Sequence, residues 1–334
     1  MGGGTASLLS ARQVGDITDL AKRSFRTAEN IEITLEGNPS DFGRDYYAEI
    51  IEHGVNRLSI GYQSADAGIL NDKLGSPHNA EEGLRSLEDA LRAGFRTVNV
   101  DMLYGIPGQR FDQWKKDVEI VVGMGPESVT TYAYIVYEKT VAALRIKQGR
   151  FEAQIDGDER HRWYLYTEGA FEESGYIAYK KGHFVRPGHA QAYSDLSYRM
   201  GAESIGIGAG AYGFINRYLF MSTSNPIYFA ASVESGLFTT ADFQSARANT
   251  DIMMSKYLMH SIATGTINVQ EFTILFGTDP RSAYREVFDE MYIKRLAVSE
   301  KNQMKLTDLG VRWQQNITNA FYSEGLRRNV QEKI

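Results

Sequence analysis

The chain has 334 residues, 36 Lys+Arg against 42 Asp+Glu, a formal net charge of −6, 43% hydrophobic residues and no cysteine. That length and composition describe a folded globular protein of one large domain or two. The mild acidity speaks against a phosphate-neutralising surface, so nucleic acid is set aside as a partner. Zero cysteine excludes disulfides, thiolate zinc sites and any iron–sulfur cluster held by this chain's own thiolates. No run of 18 apolar residues predicts a membrane span and no signal peptide is evident, which makes the cytoplasm the expected location.

The chain opens on MGGGTASLL, where glycines let a backbone approach a ligand closely. From 31 to about 136, short β-branched or aromatic runs alternate with amphipathic stretches, predicting strands over 31–38, 56–63, 97–105 and 128–136 with helices between them. Each helical stretch ends at a Gly suited to a C-cap. This spacing of βα units builds a parallel sheet or barrel. Glu36, Asn38, Gln63 and Asp101 stand at the predicted C-terminal strand ends, the face on which parallel α/β folds place their sites. Capping of the following helices is the competing role for any one of them. In VDMLYGIPGQ, Asp101 precedes a turn fixed by Gly105, Pro107 and Gly108 and can accept two hydrogen bonds.

A helical stretch from 157 leads to an expected strand in YIAYKKGHFV, then RPGH, then a glycine-rich strand in SIGIGAGAYGFI. After a break near 235–245 comes a mainly helical segment whose SEKNQMKLT reads as a hairpin flanked by helices, a winged-helix-like pattern without a basic recognition helix. The expected domains are therefore 1–235 and 236–334. The six histidines show no tight metal spacing, so no metal ligand is assigned. No G-x-S-x-G or G-x-G-x-x-G supports a serine hydrolase or a dinucleotide-binding oxidoreductase.

Taken in order, GGGTASLLS, IEITLEGNPSD, GVNRLSIGYQS, VDMLYGIPGQ, SVTTYAYIVYEKT, RPGH and GIGAGAYGFI resemble the radical S-adenosylmethionine (SAM) proteins of the oxygen-independent coproporphyrinogen III oxidase family, and LTDLG fits that family's C-terminal domain. The resemblance implies an α/β fold, an incomplete radical SAM (β/α) barrel lacking its first strands, with a winged-helix-like C-terminal domain. It implies S-adenosyl-L-methionine as cofactor, a 4Fe-4S cluster in the full-length family, a porphyrinogen or haem substrate and an external electron donor. Carried over by position, Gly2, Gly3, Gly4 and Thr5 resemble the glycine motif that meets the methionine amino and carboxylate groups. Glu36, Gln63 and Asp101 resemble strand-end residues around the ribose and methionine portions, and Ala133 and Tyr212 fall where backbone groups flank the adenine. No catalytic residue is assigned.

Three departures shape the expectation. The family's cysteine loop lies upstream of the glycine motif, so the chain reads as a truncated or degenerate copy, inactive alone. Ser76 or a neighbour stands where the family has an Arg. SDLSYR, with Tyr198, stands where the haem-chaperone branch has a His- and Trp-containing haem motif, which disfavours that branch. Alternatives are a non-catalytic haem or SAM binding protein, in which Tyr198 or His189 contacts haem, and an anaerobic haem-processing enzyme. The bare edge expected on the first strand, with uncovered apolar helix faces, predicts self-association.

Overall fold

The structure, a computed structural model, describes residues 1–194, 196, 202–237 and 246–322, so Tyr198 lies outside the described residues. The chain divides into two compact units, Met1–Ala190 and Gln191–Ile334.

In the first unit, β1 (Thr34–Gly37), β2 (Arg57–Gln63), β3 (Thr97–Tyr104) and β4 (Ser128–Ala133) run parallel in that order. The hairpin of β5 (Ile177–Lys180) and β6 (His183–Val185) completes a six-stranded sheet of order β1-β2-β3-β4-β6-β5, with β6 antiparallel to β4. Helices α1 (Ala11–Ser24), α2 (Arg44–Glu52), α3 (Ala80–Ala93), α4 (Phe111–Met124), α5 (Val141–Lys147) and α6 (Gly157–Glu173) fill the connections. This is the incomplete (β/α) arrangement expected from the sequence.

Local chemistry sets the helix ends. Ser10 and Gln13 form a reciprocal capping box at α1, and Asn79 and Glu82 form another at α3. Glycines in the left-handed region, Gly94 after α3 and Gly125 after α4, stop their helices where any Cβ would be strained.

The two faces of the sheet differ in chemistry. Leu35, Leu58, Ile60, Tyr62, Val98, Val100, Met102, Val129 and Phe184 are buried on the face that meets the helices. There Trp114 of α4 packs on Tyr104 at 5.2 Å and Phe171 of α6 stacks on Phe184 at 4.8 Å. Each aliphatic side chain so buried contributes about 1.5–3 kcal/mol, which makes this face the source of the unit's cohesion. The opposite face is polar.

YIAYKKGHFV, expected as one strand, is a hairpin. Gly182 turns it at φ +74, and a Cβ there would overlap the Thr131 carbonyl oxygen, while Thr131 N–H donates to the Gly182 carbonyl at 2.7 Å.

In the second unit only Tyr212–Ile215 of the expected glycine-rich strand is β7. It pairs with β8 (Tyr218–Met221), which pairs with β9 (Ala246–Arg247). Gly208 and Gly210 take positive φ, and Gly206 lies against the backbone of Tyr212, so the glycines fold the segment back instead of extending it. The pairing of β8 with β9 carries hydrogen bonds across residue 235, so the division falls at 190/191 and not at the boundary expected between 235 and 236. Beyond it, helices Thr250–Ala263, Val269–Phe276 and Arg285–Ile293 enclose Leu258, Ile262, Phe272, Phe288 and Met291, beside a three-stranded sheet of β10 (Thr266–Asn268), β12 (Gln303–Leu306) and β11 (Ala297–Glu300). The β11–β12 hairpin lies over the segment read as a wing.

Candidate functional site

The polar face of the first unit's sheet is built by strict alternation. Register places Glu36, Ser59, Asn99 and Ser128 in one row across β1 to β4. A second row holds Asp101, Thr130, His183 and Lys180 across β3, β4, β6 and β5. Because directly opposed residues share a face, both rows point away from the helices.

Hydrogen bonds join the rows. Ser59 Oγ donates to Asp101 Oδ2 at 3.0 Å, and Asn99 Nδ2 donates to Asp101 Oδ1 at 3.0 Å and to Ser59 Oγ at 2.8 Å. Ser128 and Thr130 hydroxyls donate to Asn99 Oδ1 at 2.7 and 3.1 Å. Asp101 is thereby fixed in orientation. Burial raises its carboxyl to about 6, with the Glu36 charge adding to the rise against the hydrogen bonds from Ser59 and Asn99 and the Arg57 charge. Burial, then the Lys180 and Arg57 charges, hold His183 well below the ordinary imidazole range, so it is neutral at pH 7.

Gln63 reaches this face by a different route. A register irregularity between Ile60 and Gln63 and a left-handed backbone at Gln63, φ 65, break the alternation at the end of β2. Its amide returns over Gly61, where a Cβ would stand 3.0 Å from Gln63 Nε2 and 3.6 Å from the Gly37 carbonyl oxygen. A left-handed non-glycine residue costs about 1–3 kcal/mol, the kind of strain that clusters at ligand sites.

The opening glycines approach the same rim. A Cβ on Gly2 would overlap the Glu36 carboxylate, and Met1 forms one parallel rung with β1, accepting from Glu36 N–H at 3.0 Å. The following 3-10 turn, Ala6–Leu8, is held by Ser7 Oγ donating to Asp41 at 2.6 Å, and Gly37 has no side chain where Ser7 and Phe42 pack. Gly3, at φ +84, and Gly4 have open space around them, and Thr5 caps the turn without a side-chain hydrogen bond.

Gly2, Glu36, Gln63 and Asp101 are therefore brought together, with Ala133 at the same end of β4, opposite Tyr104. Asn38 donates its Nδ2 to Asp41 and keeps its Oδ1 over Gly61, beside the Gln63 amide. Tyr212 belongs to the second unit, where it begins β7 and is 73% exposed. Ser76 pairs with the His78 ring at 2.9 Å, and His189 with Thr97 at 2.9 Å. Sequence reasoning missed Arg57, Ser59, Asn99, Thr130, Lys180 and His183. The signal for Ser59 and Asn99 was the polar residue set into an apolar strand in L-S-I and N-V-D, because strands covered on both faces of a parallel sheet normally read as continuous apolar runs.

Residues 1–121 match the Radical SAM superfamily. Coproporphyrinogen III oxidase (HemN) from Escherichia coli shares the fold, with a TM-score of 0.81 at 19% identity over 96% of this chain and 76% of that one. The family match spans β1, β2 and β3. Curated relatives are similar over more of the chain. The Heme chaperone HemW of Mycobacterium tuberculosis is 27% identical over 81% of this chain and 70% of its own length. The Anaerobilin synthase of Escherichia coli O157:H7 is 28% identical over 70% of this chain and 52% of its own length. Members of the superfamily use SAM with a 4Fe-4S cluster. In this chain the rim offers carboxylates, an amide and a glycine cradle, groups that fit the amino, carboxylate and hydroxyl functions of SAM. It offers no thiolate, so its own side chains do not fit a cysteine-held cluster. Among the described residues no helix is long and apolar enough to cross a membrane.

Proposed function

We propose that this chain binds S-adenosylmethionine along the C-terminal rim of β1 to β4 and holds it beside a tetrapyrrole of haem metabolism, as a binding unit that supplies no cluster ligand of its own. The observation that carries the reading is the convergence of Glu36, Gln63 and Asp101 on the polar face beside Gly2. Carboxylates there suit the ammonium of the methionine moiety and the hydroxyls of the ribose. The glycine cradle lets backbone groups meet the methionine carboxylate. The tetrapyrrole part rests on the resemblance and on relatives named for heme handling, anaerobilin synthesis and coproporphyrinogen oxidation. The lack of cysteine favours binding over radical generation by this chain's own residues.

Equilibrium dialysis with radiolabelled SAM tests the reading. The expected result is one site per chain. Glu36→Ala and Asp101→Ala each weaken it by about tenfold or more, since a hydrogen bond to a charged group contributes about 1.5–3 kcal/mol. Lys294→Ala in the second unit leaves it unchanged. Binding that ignores both rim substitutions overturns the assignment.

A further inference from the structure

Arg57 opens β2 on the polar face, two residues before Ser59, and is only 3% exposed. Its Nε is buried and has no hydrogen-bond partner among the described residues, an arrangement that costs stability unless a ligand completes it. Its charge reaches Asp101, Tyr132, Lys180 and His183, which places the guanidinium among those side chains. Lys180 stands directly across from His183 in the β5–β6 pair, and His183 across from Thr130. The rings of Tyr132 and Tyr179 meet His183 edge-on at 6.1 and 5.8 Å.

The face carries charges of both signs. Glu36 and Asp101 stand on β1 and β3, and Arg57 rises from β2 between them with its charge reaching Lys180 and neutral His183 on β5 and β6, where His183 lies between aromatic rings. From this arrangement we infer that Arg57 and Lys180 form an anion subsite that takes a carboxylate of the bound substrate, with Tyr132 and Tyr179 flanking the flat body that carries it. Burial and then the Arg57 charge lower the Lys180 ammonium to about 8, a cost that an arriving carboxylate reverses. Arg suits the role because its planar fork meets a carboxylate with two parallel hydrogen bonds. The inference rests on the tetrapyrrole reading above and deepens it by naming the substrate's acid side chains as the groups recognised. The methionine carboxylate of SAM shares that chemistry, and the experiment separates the two.

Fluorescence titration with coproporphyrin III, a tetracarboxylate, and with its tetramethyl ester is run on the wild type, Arg57→Met and Lys180→Gln, and SAM affinity is measured by dialysis on the same three proteins. The expected result is that each substitution weakens the tetracarboxylate by about tenfold or more, a loss of about 1.4 kcal/mol. Ester binding is weaker in the wild type and indifferent to the substitutions, and SAM affinity holds within about twofold, which also verifies that the variants fold. Wild-type binding of the tetracarboxylate that neither substitution weakens overturns the subsite and leaves the tetrapyrrole reading standing. Failure of the wild type to bind the tetracarboxylate overturns both. A loss confined to SAM overturns it as well, assigning Arg57 and Lys180 to the methionine carboxylate.

Discussion

At the scale of single residues, the chain puts polar atoms where a structural sheet would put valine. Asp101 shows the consequence. An unfolded aspartate titrates at 3.8 and the folded one at about 6, so the folded chain holds its proton to higher pH. Its contribution to stability is fully present below 3.8 and is lost as pH rises through about 6. Two units correspond to about 3 kcal/mol. In urea denaturation from pH 4 to 7.5 the stability of the wild type relative to Asp101→Asn is expected to fall by up to about this amount, while His183 and His260, which burial holds neutral, contribute an opposite rise that both proteins share. Asp117, also raised to about 6 by burial, accounts for a further part that the substitution leaves in place. Parallel pH profiles for wild type and variant contradict the assignment. The strand-end residues Glu36, Gln63 and Asp101 were legible because loops after parallel strands form the functional side. Arg57 and His183 were not, because one sits at the start of a strand and the other in a hairpin whose pairing with β4 only long-range structure decides.

At the scale of elements, the four parallel strands and the helices between them were legible because hydrophobic period, capping residues and terminal glycines agree locally. Two glycine-bearing segments misled in the same way. A glycine within an apolar run is compatible with extension or reversal, and what it packs against selects between them. Gly182 reverses the chain because its α-carbon must approach Thr131, and Gly206, Gly208 and Gly210 fold their segment onto Tyr212. Gly182→Ala therefore combines left-handed strain with overlap onto a backbone carbonyl. It is expected to destabilise the first unit by about 2–4 kcal/mol in chemical denaturation. It also loosens β6 and with it His183 and Lys180. A variant as stable as wild type contradicts this account of the turn.

At the scale of the whole molecule, β1 is the outer strand of its sheet, but its edge is not bare. The outward Thr34 carbonyl and Glu36 N–H are both taken by Met1, the latter at 3.0 Å. What does stay open is apolar surface on and beside α1, where Ile17, Leu20 and Phe25 are exposed. The chain is therefore expected to self-associate at high micromolar concentration in multi-angle light scattering, and Ile17→Lys with Leu20→Lys to restore the monomer mass. A wild-type protein that stays monodisperse and monomeric contradicts that. All of the functional reading depends on the polar face of the first unit's sheet being a ligand site. A crystal structure of the chain grown with S-adenosylmethionine tests this most directly. It is expected to show the ligand within hydrogen-bond distance of Glu36, Gln63 and Asp101, beside Gly2. Saturating ligand that leaves this rim empty, or that binds away from these residues, contradicts the account.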